Sequence, residues 1–264
     1  MTTDPVLYSA ADRIARITLN RPDLRNALSD DVVPALIEAL LRADEDTDIS
    51  CVLLTGAGKC FSAGGNLNEI KRISEENSAL EIADWYRTGI QRIPLTFETL
   101  SVPVVAAVNG HAIGAGLDLA TMCDIRIAGV SATFAESFVR VGLIPGDGGA
   151  WLLPRTIGHA RAMHMLLTSE AIDAEQALDW GLVTEIVADA DLLTRAAVMA
   201  ASIAAQPPGA LRKAKRLMMT ARASTLSENL EEARLVQGVL QGTYDHREAV
   251  AAILEKRKPA FGKR

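Results

Sequence analysis

Apolar and polar positions alternate early in the chain. Ile14, Arg16 and Thr18 fall on one side and Ala15, Ile17 and Leu19 on the other, which predicts a strand stopped by Asn20, Pro22 and Asp23. Ser29 is placed to cap a following helix, with Asp30 and Asp31 in a first turn where the helix dipole favours negative charge. That helix is expected to reach about Ala43 before an acidic loop. Residues 51–55 form a short apolar run closed by Gly56-Ala57-Gly58, residues 102–108 a second and residues 125–128 a third, with helical stretches between. Strands that are apolar throughout are covered on both faces, so this order predicts an α/β fold with a largely parallel sheet.

The character changes near residue 190. Residues 191–205, 210–223, 226–240 and 245–258 carry helical patterns punctuated by Pro207-Pro208 and Gly242. Thr225-Leu226-Ser227-Glu228 has the spacing of a capping box. The expected organisation is an α/β core over residues 1–190 and a helical packing or oligomerisation region over residues 191–264. No low-complexity segment or strict short repeat interrupts it.

Composition narrows the classes. With 49% apolar and 23% charged residues, the 264-residue chain can bury a sizeable core and is not of the disordered type. Lys+Arg 27 against Asp+Glu 33 gives a net charge of −6, which argues against binding to nucleic acid or to a membrane surface. The basic stretches at 212–216 and 256–264 read as solvated helix faces or a few phosphate contacts. Three cysteines, Cys51, Cys60 and Cys123, make an odd count without a CxxC pair, so neither a disulfide framework nor a zinc site is expected. The first residues lack the charged and apolar regions of a secretory signal, and the apolar run ending at Val108 is too short to span a bilayer. A reduced, cytoplasmic location is the expectation.

Three glycine clusters carry the candidate chemistry: Gly56-x-Gly58-Lys59, Gly64-Gly65, and Gly110-x-x-x-Gly114-x-Gly116. A Walker loop fails, because Cys60 follows Lys59 and the upstream glycine is missing; a dinucleotide fingerprint fails at Phe61 and at Leu119. Two uses of glycine remain open. One is tight turns in a compact core. The other is close approach of backbone N–H groups to a ligand, above all where a strand runs into a helix start near Gly114, whose unpaired amides suit a developing oxyanion.

A set of motifs decides between them. Leu19-Asn20-Arg21-Pro22 with Asn26-Ala27-Leu28 is similar to the opening signature of the enoyl-CoA hydratase/isomerase (crotonase) family. So is Phe61-Ser62-Ala63-Gly64-Gly65-Asn66-Leu67. Pro103-Val104-Val105-Ala106-Ala107-Val108-Asn109-Gly110 then leads into Gly114-Ala115-Gly116-Leu117-Asp118-Leu119 and ends at Cys123-Asp124. Gly142-Leu143-Ile144-Pro145-Gly146 with Gly148-Gly149, and the segment 174–181, continue in family order. Lys256-Arg257-Lys258 and Phe261 resemble the family's tail.

The resemblance implies a spiral of ββα repeats with a C-terminal helical trimerisation region, and a homotrimer or homohexamer. It implies an acyl-CoA thioester as substrate, with coenzyme A entering as part of that substrate and no cofactor or metal. Gly65 and Ala115 match the two oxyanion amides. Leu24, Arg25, Ala27, Ala63, Asn66, Leu67, Gly114 and Phe138 fall in or beside the segments along which CoA and the acyl chain pass, with Arg25 a candidate for a CoA phosphate.

The acid–base groups depart from the hydratase pattern of two glutamates. Asp118 stands at the first position, three residues after Ala115 and so on the same helical face. Phe138 stands at the second and cannot move a proton. Glu136 could compensate if the backbone there is extended, and Asp147 could do so from the loop Pro145-Gly146-Asp147-Gly148-Gly149, unless it serves only as an N-cap. The isolated histidines, and Ser62 outside any GxSxG context, are not candidates; Trp85 and Tyr86 lie in a segment that in the resembled family often borders the acyl pocket, with core packing the expected role. The expected function is enoyl-CoA hydration. Isomerisation by a single proton shuttle, and acyl-CoA binding without catalysis, are the alternatives.

Overall fold

The computed structural model describes residues 4–262. Residues 1–3 of the leader reading, and Lys263 and Arg264 of the basic C-terminal stretch, lie outside the described residues.

The chain begins with β1 (Val6–Ala11) and β2 (Ile14–Leu19), then α1 (Val32–Glu45), β3 (Cys51–Gly56) and β4 (Cys60–Ser62). Helices α2 (Leu67–Glu76), α3 (Ala79–Thr88) and α4 (Arg92–Thr99) follow, then β5 (Val104–Val108), β6 (His111–Ile113) and α5 (Ala115–Met122). Next come β7 (Ile125–Gly129), β8 (Thr133–Ala135), α6 (Gly149–Ile157), α7 (His159–Thr168), β9 (Ile172–Asp173), α8 (Ala174–Asp179) and β10 (Glu185–Val187). The chain closes with α9 (Leu192–Ala204), α10 (Pro208–Thr220), α11 (Leu226–Gln241) and α12 (Tyr244–Glu255).

The strands form two sheets, ordered β1-β2-β3-β5-β7-β10 and β4-β6-β8-β9. From β2 to β10 the larger sheet is parallel, with β1 antiparallel on its edge. Each repeat sends one strand to each sheet before turning into helix: β3 with β4, β5 with β6, β7 with β8. This is the expected α/β spiral of ββα units.

Why the central strands are apolar throughout is visible in the packing. Val52, Leu54, Val104 and Ala106 face the main core, which includes Leu36 and Leu40 of α1. Their neighbours Cys51, Leu53, Val105 and Ala107 face Leu192, Ala196 and Ala200 of α9. Helix α9 therefore covers the second face of the sheet, while α10 and α11 bury no residue fully within the protomer.

Three local expectations are corrected. The first helix starts at Val32, and Ser29 caps no amide; its hydroxyl donates to Asp31 Oδ1 at 2.5 Å. Strand β1 escaped the pattern because its burial is slight at almost every position. The basic stretch at 212–216 is not a solvated face. Arg212 donates to Asp44 Oδ1 (2.8 Å), Ser101 Oγ (2.7 Å) and the Ile49 carbonyl (2.9 Å), and Lys215 donates to Asp124 Oδ2 (2.8 Å), so α10 is latched to the core. The capping box at Thr225 and Glu228 forms as expected.

All three cysteines are free and buried, and burial pushes the Cys51 and Cys123 thiols up to about 12. Among the described residues no helix is long and apolar enough to cross a membrane.

Candidate active site

The two glycine-rich segments meet. Asn26, fully buried, donates to the carbonyls of Ala57 (2.9 Å) and Cys60 (2.7 Å) and accepts from the Arg21 amide (3.0 Å), fixing the 20–28 loop beside β4. Leu28 N–H then donates to the Gly64 carbonyl at 2.7 Å. Gly64 has φ +89°, and a Cβ there would lie 2.6 Å from the Ile113 carbonyl oxygen and 3.3 Å from the Ala115 nitrogen. Only glycine permits this approach, which sets the Gly65 backbone beside the first turn of α5.

Both Gly65 and Ala115 line one cavity of about 460 Å³. Ala115 is the first residue of α5, where an N–H has no partner within the helix. Among the described residues neither the Gly65 nor the Ala115 N–H donates to any acceptor. Two free amides from different segments thus open on one space.

The rest of the cavity wall is mostly apolar: Leu28, Val33 and Ile70 on one side, Ile90, Val141 and Leu143 on the other. Phe138 is part of it, its ring standing against Gly114. Trp85 and Tyr86, expected in the core, line the cavity instead as an edge-on pair with centroids 5.2 Å apart. Their helix, α3, has no fully buried residue, so the packing expectation failed for want of anything to pack them against. Trp85 Nε1 donates to Asp30 Oδ1 at 3.0 Å, tying α3 to the loop before α1 at the cavity rim.

Of the three candidate carboxylates, Asp147 lines the cavity; Asp118 and Glu136 do not. Asp118, expected to act as an acid–base group, lies beneath α6. A Cβ on Gly149 would collide with both Asp118 carboxylate oxygens, so the first turn of α6 rests directly on that group. Phe138 lines the cavity and Glu136 does not; past β8 the chain turns into a 3₁₀ segment at Val139–Val141. Nor is Asp147 an N-cap: Gly148, at φ +114°, occupies that position.

The three carboxyls are brought together nonetheless. Asp118 is 0% exposed, Glu136 1% and Asp147 2%. Apart from the Asp147 amide beside its own carboxylate, no N–H or hydroxyl donor reaches their six oxygens. What lies within hydrogen-bonding reach of Asp118 is Asp147 on one side and Glu136 on the other, contacts that become hydrogen bonds only when a proton is present. Burial, followed by the like charges of Asp147 and Glu136, holds Asp118 well above the usual carboxylate range. Burial and then Asp147 push Glu136 up to about 8. Burial raises Asp147 as well, opposed by a hydrogen bond from Asp118. Tyr86 is raised by burial and by the neighbouring Asp147 charge.

The remaining candidates are scattered along the rim. Leu67 and Ala63 line the cavity with Gly114, and Leu67 is 62% exposed. Leu24, Arg25, Ala27 and Asn66 do not line it. Arg25 is exposed in a left-handed conformation (φ +53°), and its carbonyl accepts from the Ala63 amide at 3.0 Å. Ala27 is buried, while Asn66 caps α2, accepting from the Asn68 amide at 3.1 Å. Ser62 donates to the Asn26 carbonyl and accepts from the Gly64 amide, so its hydroxyl is occupied in shaping the loop.

A spiral of ββα units with two unpaired main-chain donors and a buried acid beside one cavity is suited to stabilising an oxyanion. The family described as enoyl-CoA hydratase/isomerase matches residues 9–264, and the chain belongs to it. It is 38% identical over 260 residues to 1,2-epoxyphenylacetyl-CoA isomerase of Escherichia coli (97% of each chain), and 35% identical over 256 residues to 2,3-dehydroadipyl-CoA hydratase of the same organism (97% and 98%). Among solved structures it is similar to an enoyl-CoA hydratase from Bacillus anthracis, with a TM-score of 0.91, 32% identity and 97% and 98% of the two chains covered.

Proposed function

We propose that the protein is an enoyl-CoA hydratase that binds the thioester carbonyl on the Gly65 and Ala115 amides and uses Asp147 as its acid–base group. The observation that supports this reading is that Gly65, Ala115 and Asp147 line the same mostly apolar cavity, the two N–H groups unengaged and the Asp147 carboxyl buried in its wall. In the addition, a water O–H bond breaks and its proton passes to Asp147 while the oxygen bonds to Cβ. The π electrons move onto the thioester oxygen, where charge builds against two preorganised donors that stabilise it more than the ground state. Asp147 then returns a proton to Cα as the carbonyl re-forms. This chemistry calls on no metal or redox group, and coenzyme A arrives as part of the substrate.

The 24–27 loop and residues 63–67 are assigned to CoA, with Arg25 toward a phosphate. This is supported by the exposure of Arg25 and by its backbone bond to Ala63. A homotrimer or homohexamer is supported by exposed Leu226, Leu230, Leu235 and Val239 along α11, and a reduced, cytoplasmic setting by three free thiols.

Phe138 on the cavity wall favours a second reading, an isomerase that moves one proton between carbons while an apolar surface keeps water out. Crotonyl-CoA and longer or branched enoyl-CoAs, followed by loss of the conjugated chromophore and by product analysis, separate the two. Hydroxyacyl-CoA is the expected product. Double-bond migration without it establishes the isomerase, and no turnover on any thioester overturns both.

A further inference from the structure

Asp147 has two further carboxyls behind it, on separate elements: Asp118 on α5 and Glu136 just past β8. Asp118 is within hydrogen-bonding reach of both the others, Asp147 is the one that lines the cavity, and Asp147 and Glu136 act on one another through charge. Two contacts join three groups that no donor of another residue reaches. An unprotonated carboxylate pair in such a dry place would be left with bare repulsion, which is costly at low dielectric. Both contacts become hydrogen bonds when the trio holds two protons and a single negative charge.

We propose that Asp118 and Glu136 are positioning and proton-relay residues for Asp147, so that the three carboxyls act as one acid–base unit with two resident protons. The inference rests on the reading of Asp147 given above. In the resting unit Glu136 donates to Asp118, Asp118 donates to Asp147, and the charge sits on Asp147, at the cavity end beside the N-terminus of α6. When Asp147 takes a proton the unit becomes neutral, and the hydrogen bond to Asp118 can reverse. The proton handed to Cα then comes from either Asp147 oxygen without a second acid facing the substrate. The relay thus supplies what Phe138, at the expected place of that acid, cannot. The other titratable group facing the trio is the Tyr86 hydroxyl on α3, whose raised value keeps it neutral.

Burial, followed by like charge, raises Asp118 well above the usual carboxylate range and Glu136 to about 8, which accords with resident protons in the unit. A cation is not the natural occupant: among the described residues no group of His, Cys, Asp or Glu is arranged to hold a metal ion.

The test uses the full-length protein and two readouts. Glu136→Gln keeps a neutral donor toward Asp118 but can neither accept nor release a proton. With crotonyl-CoA, its kcat is expected to fall at least about tenfold with KM unchanged, a modest share of what a general acid–base group contributes. The wild-type pH profile is expected to inflect near pH 8, the inflection should be lost in Glu136→Gln, and Glu136→Asp should restore it. Infrared difference spectra at neutral pH, in water and in heavy water, should show two protonated carboxyls in wild type and one in Glu136→Gln. An unaltered profile in Glu136→Gln, or the absence of protonated carboxyls in wild type, overturns the relay. If wild type processes no acyl-CoA, the functional reading falls, while the infrared count still decides whether the two protons are there.

Discussion

At the residue scale, the decisive groups are ones whose surroundings the sequence could not supply. Asp118, Glu136 and Asp147 were recognisable as candidates from position, yet their convergence depends on α5, the exit of β8 and the α6 loop packing together. Phe138 was read correctly as unable to move a proton, and it does stand on the cavity wall. Removing the cavity-facing group is expected to matter most: Asp147→Asn should lower kcat by about 10²–10⁴-fold, as for a general acid–base residue, and steady-state assays on crotonyl-CoA check it.

Glu136 also makes a prediction about stability. Burial and the Asp147 charge raise it to about 8, so the folded protein keeps a proton that the unfolded chain releases far lower. The contribution is full below the unfolded value and is lost as pH rises through the folded one. Glu136→Gln removes that dependence, and its Tm relative to wild type should therefore climb between about pH 5 and about pH 8. A constant offset across that range in calorimetry would contradict the assignment.

At the element scale, helix interiors and apolar strands were legible because their burial is periodic or complete. Ends were less so: Ser29 looks like a cap, but its hydroxyl prefers Asp31, and the helix begins later. Where α6 begins is more consequential. Gly149 carries no side chain because the Asp118 carboxylate occupies that space. Gly149→Ala should cost about 1–3 kcal/mol through overpacking and should also depress activity by displacing the trio, which denaturant titration and turnover measure together. The latch on α10 is a separate matter. Arg212→Ala removes the cation paired with Asp44, whose carboxylate keeps its bonds from Ser101 and Val102, and takes the donor from the Asp44 and Ile49 carbonyls, for an expected loss of about 2 kcal/mol with the cavity untouched. Unchanged kcat with a lowered unfolding midpoint is the anticipated result.

At the scale of the whole molecule, the spiral was legible only through ordered motifs, because no single glycine cluster distinguishes a turn from an oxyanion site. The second sheet, made of strands of three residues or fewer, left no pattern to read. Helices α10 to α12 keep Met218, Leu226, Leu230, Ile253 and Leu254 in the open, an apolar surface that calls for a neighbour. Light scattering at micromolar concentration should give the mass of three or six chains, and a monomer would remove that proposal.

The buried cysteines give the fold a built-in clock. None of the three sulfurs can meet a maleimide in the native state, and those of Cys51 and Cys123 are held as protonated thiols far above neutral pH. Alkylation must therefore wait for the sheet to open. Mass spectrometry of labelled intermediates would time that opening at the central strand through Cys51 and, independently, at the far end of α5 through Cys123.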